Sequence, residues 1–126
     1  MRLKTTGQVF DLTVKPIDVY DFATDQWLPE SASPMLPTPR AGNMVMAWGE
    51  EIVIGGREST QKTAHDQVEA YNVKTGQWRD WPSLERGRHG SGFAIVGDHV
   101  YTASGSGGRG GSPGLTSIER LKLITE

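Results

Sequence analysis

Apolar residues along this chain fall into short runs separated by turn residues, and no stretch repeats with helical period. Met44–Trp48 (MVMAW) and residues 93–96 (FAIV) are nearly continuous apolar runs, the pattern of a strand covered on both faces. Each is followed by a Gly-led polar triplet, Gly49-Glu50-Glu51 or Gly97-Asp98-His99, and then by a second apolar run at 52–54 or 100–102. A glycine at that point reaches the positive φ that a tight hairpin demands. Residues 68–73 predict a third strand, which Lys74-Thr75-Gly76 turns back into Gln77-Trp78. An earlier copy of this hairpin runs through 17–22, with Ala23-Thr24-Asp25 as its turn. Pro29, Pro34, Pro37 and Pro39 mark 29–39 as a linker, and Pro82 marks a shorter one. Residues 105–114, GSGGRGGSPG, are low in complexity and predict a mobile loop.

The pattern repeats. Tyr20 and Tyr71 are 51 residues apart, as are Trp27 and Trp78, with Thr24/Thr75 and Gln26/Gln77 in the same register. Arg40 and Arg88 are 48 apart, and Gly42/Gly90 and Gly49/Gly97 keep that spacing. Ile118-Glu119-Arg120-Leu121 matches Val68-Glu69-Ala70-Tyr71 at an offset of 50. Fixed-period self-similarity of this length is the mark of a repeat architecture.

Composition narrows the classes. Gly at 16 and Trp at 4 in 126 residues suit a turn-rich all-β fold. A formal net charge of −2 gives no global attraction to nucleic-acid phosphate. The absence of cysteine excludes disulfides, thiolate metal sites and cysteine nucleophiles. No secretory leader or membrane-length apolar run is read, so the default expectation is a soluble, cytoplasmic chain.

The order Arg-x-Gly, apolar strand, acidic turn, Ile/Val strand, Gly-Gly, long loop, Tyr strand, turn, Trp resembles the Kelch repeat of β-propellers. The resemblance covers about residues 17–124 and is fullest in the central unit, where Gly55-Gly56, Tyr71 and Trp78 stand in the motif's places. Ala103-Ser104-Gly105 replaces the double glycine in the next unit, and Leu121 replaces the tyrosine. It implies about two and a half four-stranded antiparallel blades, with units at 17–37, 38–82 and 83–124 after a degenerate or truncated segment at 1–16. In such blades Tyr20, Trp27, Tyr71 and Trp78 would fill the wedge between sheets, and Gly42, Gly55, Gly56 and Gly90 would allow close backbone approach. An incomplete ring predicts a homo-oligomer or a fragment of a longer propeller.

The meander puts the tight turns (23–26, 48–51, 74–77, 97–99) at one end and the long connections (29–39, 57–66, 82–87, 105–116) at the other, where binding usually resides. Arg40 and Arg88 open strands at the loop end. The resemblance implies a channel-lining arginine there that can receive a ligand carboxylate; the alternative is an arginine that ties a loop to a backbone carbonyl. His89 beside Arg88 joins the candidate site, and Arg57 and Arg109 in the long loops either extend it as a basic rim or stand as solvated surface charge. The expected function is a binding module for an acidic protein or peptide. The alternative is a carbohydrate-active propeller, either a sialic-acid-type mutarotase drawing on Glu58, Glu69 and Arg88, or a glycan-binding module. His65, His89 and His99 share no ligand spacing, so no metal is expected. Gly105 to Gly110 matches G-x-G-x-x-G but opens no helix, so no nucleotide cofactor is expected either. No catalytic motif is read.

Overall fold

The computed structural model describes residues 15–39 and 41–124. Residues 1–14 of the degenerate or truncated segment, and Arg40, lie outside the described residues. Tyr20–Asp21 (β1) pairs with Gln26–Trp27 (β2). Met44–Trp48 (β3), Glu51–Arg57 (β4), His65–Asn72 (β5) and Trp78–Trp81 (β6) form a four-stranded antiparallel meander. Ala94–Val96 (β7), His99–Ala103 (β8) and Ile118–Lys122 (β9) form a three-stranded one. The turns are made as their glycines require, with Gly49 and Gly97 at φ 59° and 61°.

Strand β4 continues past its apolar run, through Gly55-Gly56 to Arg57, with a bulge between Gly55 and Arg57. Gly56 has φ 61°, and a Cβ there would stand 2.1 Å from the Arg88 carbonyl oxygen. A Cβ on Gly55 would meet the Phe93 ring at 2.6 Å. The double glycine is thus where the next unit's entering chain crosses β4 at backbone distance.

Register divides the middle sheet into two faces. Val53 is opposite Ala70, and Val68 is opposite Trp81, so these four share one side of the pleat. They form the core together with Val100 and Leu123 of the third unit, joined by Met46, Trp48, Leu84, Phe93 and Leu121. Trp48 and Trp81 meet edge-to-face at 5.4 Å, a favoured aromatic geometry.

Four expectations need correction. Trp78 is only half-buried, against Tyr71 at 5.2 Å, and Trp27 is 65% exposed beside Tyr20. The buried indole is Trp81, which lies three positions beyond Trp78 and therefore on the opposite, core-facing side of the pleat. The apolar runs of β3 and β7 are not covered on both faces: Val45 is 53% exposed and Val96 64%. Their uncovered sides point away from the shared core. Residues 29–39 are more than a linker: Glu30–Ala32 makes one 3-10 turn, and the segment returns alongside residues 15–17 through Ile17 N to Pro34 O and Leu36 N to Lys15 O. Finally, residues 105–114 form a pinned loop, described next.

Candidate loop-end site

The connections β4–β5, β6–β7 and β8–β9 converge at one end of the middle and third sheets. Their contact is made mainly by the main chain. Ala64 N donates to Gly107 O at 3.0 Å, Arg109 N to Lys62 O at 2.8 Å, and Gly107 N to Pro113 O at 2.9 Å. His89 and Ser106 exchange both backbone bonds, and Gly90 N donates to Gly42 O. Ser106, Gly107 and Gly108 are buried. The glycines that made this stretch look mobile are small enough for the neighbouring backbone to close over them: a Cβ on Gly108 would lie 2.6 Å from Ser112 O. Composition signals flexibility only while such backbone groups lack partners.

Arg88 sits beneath these loops with no solvent exposure. Nη1 donates to Ser104 O at 2.8 Å and Ser117 O at 3.2 Å, while Nη2 donates to Ser117 Oγ at 2.9 Å and Glu119 Oε2 at 2.5 Å. The guanidinium fork therefore clamps the two ends of the β8–β9 connection. Glu119 also accepts from the backbone N–H groups of Glu85 and Arg86, so one carboxylate fixes the 82–87 connection as well. Of the two roles open to Arg88, the geometry is that of the tie, and its fork has no face left for an outside carboxylate.

The other nominated residues divide similarly. Arg57 is buried, with Nη1 donating to Pro39 O at 3.3 Å. His89 is buried, its Nε2–H donates to Gly108 O at 2.8 Å, and Glu58 Oε2 stands 3.6 Å away. Glu58 in turn accepts from Gly110 N at 2.9 Å. Arg109 is exposed on the rim and reaches Thr60 O at 2.9 Å.

Two exposed cations join Arg109 there. Lys62 shares the main-chain contact with Arg109, and the Arg86 guanidinium lies over Gly107, where a Cβ would come within 2.7 Å of Nη2. Sequence reading named Glu58 only for the mutarotase alternative and passed over Arg86 and Glu119 as site residues. A signal for the last was present, because Glu69/Glu119 recur just as Arg40/Arg88 do, and a doubly recurring Arg and Glu suggest an internal pair. A further polar contact, Ser59 Oγ to His65 Nε2 at 2.7 Å, lies in the β4–β5 connection. Among the described residues no three potential metal ligands come together.

At the opposite end of the middle sheet Glu51 bridges strands. It accepts from Arg79 Nε, from Arg79 Nη2 at 2.8 Å and from Trp81 Nε1 at 3.1 Å. The Arg79 hydrogen bond holds the Glu51 carboxyl below the usual carboxylate range, against the opposing effect of burial.

The family model of the Kelch motif matches residues 52–85, which span β4, β5, β6 and the start of the following connection. A Kelch motif marks a propeller or protein-interaction module. The motif lies on the four-stranded meander and the register is repeated in the third sheet, so the chain carries a Kelch motif and its antiparallel sheets are consistent with a partial Kelch propeller.

Proposed function

We propose that this chain is a protein-binding module whose loop end takes an acidic segment of its ligand on Lys62, Arg86 and Arg109. The observation that carries this reading is that three exposed cations stand on connections strapped to one another by main-chain hydrogen bonds. Cations held this way lose little further freedom on binding, which favours affinity. Guanidinium groups match carboxylates in shape and charge. Arg88, Arg57 and His89 support the site from below without touching the ligand. The connections 57–64, 82–87 and 105–117 contain no aromatic residue, so this surface lacks the flat faces on which sugar rings stack. That favours a peptide over a glycan.

The test is selection of a random peptide library on the immobilised chain, followed by binding of the enriched peptides by calorimetry. Enrichment in Asp and Glu is expected, with affinity falling as salt rises. Arg86→Ser/Arg109→Ser should weaken binding about tenfold, in line with the loss of a partly exposed charge-assisted contact. Enriched peptides without acidic residues, or full affinity in the double variant, would reject the reading.

A further inference from the structure

The β4–β5 connection holds a pair of side chains that the cation rim does not use. Arg57, the last residue of β4, is paired with His65, the first of β5. That pairing closes the loop between them and brings Ser59 back onto His65, with Oγ 2.7 Å from Nε2. The two are six residues apart in sequence, a spacing that becomes a contact only in the folded loop. His65 is buried, whereas Ser59 is partly open to solvent. A reachable hydroxyl against a shielded imidazole is the arrangement of a serine nucleophile and its base.

The surrounding hydrogen bonds favour that polarity. Gln61 N–H donates to Ser59 Oγ at 3.3 Å, which leaves the hydroxyl proton for His65 Nε2 and puts the imidazole's own proton on Nδ1. A donor that close to the nucleophile is also within reach of the oxyanion formed when an acyl carbon bonds to it. The loop is held in this shape by Gln61 Nε2 on Thr63 O at 2.7 Å, Arg109 Nη1 on Thr60 O at 2.9 Å and Ala64 N on Gly107 O at 3.0 Å. Groups fixed in place before a ligand arrives are the ones that act efficiently on it.

We infer that Ser59 and His65 form a nucleophile–base pair that cleaves small activated carboxylic esters. Ser59 Oγ bonds to the acyl carbon as the ester's bond to its leaving oxygen breaks. The Ser59 proton passes to His65 Nε2 and from there to the leaving oxygen. Water then attacks acyl-Ser59, gives a proton to His65 and departs as part of the carboxylic acid, while Ser59 regains its proton from His65. Arg109, whose guanidinium lies on the carbonyl next to Ser59, favours an acyl chain that ends in a carboxylate. That preference rests on the loop-end cations receiving anions; the cleavage itself does not.

The test follows release of para-nitrophenol from its acetate ester and from its monoester with adipic acid, using the intact chain. Saturable turnover above the uncatalysed rate is expected, with acyl-Ser59 found by mass spectrometry after acid quenching. Ser59→Ala removes one partly exposed oxygen, so it should keep the circular dichroism of the native chain and lose both the adduct and the turnover. His65→Gln should slow acylation about 100-fold. The native chain's rate should also rise with pH through a single deprotonation, which reads the base even where His65→Gln fails to fold. Arg109→Ser should lower the preference for adipate over acetate about tenfold. No turnover, an adduct confined to other residues, a rate indifferent to Ser59→Ala or a rate without that pH step would reduce the contact to a structural tie and overturn the proposal. Acetate turnover with no preference for adipate would uphold the pair and reject the cations as anion receivers.

Discussion

Replacing Arg88 by methionine removes a guanidinium that is wholly excluded from solvent yet keeps the length of its stem. Loss of one partner from a buried ion pair costs about 3–5 kcal/mol. Glu119 is 16% exposed and retains the N–H groups of Glu85 and Arg86, so its charge is not stranded and the lower figure, about 3, applies. The Ser104 and Ser117 carbonyls each lose a donor, adding about 1 kcal/mol apiece. Against this, Arg88 Nε is buried without a hydrogen-bond partner, and its removal returns roughly 1 kcal/mol. The net expectation is a loss of about 4 kcal/mol, a large share of the roughly 5–15 kcal/mol by which domains are stable. Urea unfolding followed by tryptophan fluorescence reads this directly, because Trp81 lies in the core that Arg88 helps to close. A loss under about 1 kcal/mol at unchanged denaturant slope would refute the clamp. Unchanged stability with weakened acidic-peptide binding would return Arg88 to the ligand-receiving role.

Gly56→Ala should destabilise by about 3 kcal/mol or more, since positive φ is compounded by the 2.1 Å approach to Arg88 O. Gly49→Ala, at φ 59° with open space around it, should cost only the backbone strain of about 1 kcal/mol; equal costs in thermal or urea melts would remove the crossing from the argument. Glu51 has a folded-state pKa below its unfolded value, so its contribution is complete above the ordinary carboxylate range and is lost as pH falls through that range toward the depressed value. The stability gap between the native chain and Glu51→Gln should therefore be widest near neutrality and close in acid, and a gap that widens in acid would reverse the assignment.

The strands were legible because their determinants are local. An apolar run, a Gly-led turn and a second run specify a hairpin without reference to the rest of the molecule, and β3 begins and ends where its run does. The aromatic packing was less legible, because motif position says which residues recur and not which side of the pleat the core occupies. Trp81 is outside the repeat of Tyr and Trp, yet it lies opposite Val68 and faces inward, while the recurring Trp78 faces outward. The candidate site was partly legible. Loop length marked the end away from the tight turns, where the long connections do meet, but Arg88 and Arg109 look alike in one dimension. What separates them is the company of Glu119, Ser104 and Ser117, brought from 16 to 31 residues away.

The main-chain strapping of the connections also bears on how such a surface can change over time. A loop held by its side chains loses its shape when those side chains are replaced. Here the contacts between 60–64 and 105–114 are written largely in amide and carbonyl groups, which nearly every amino acid carries. Substitutions at Lys62, Arg109 or Ser112 can therefore alter what the rim presents while the frame beneath stays as it is. Recognition is free to drift in this protein, and the buried glycines are the positions where drift is forbidden.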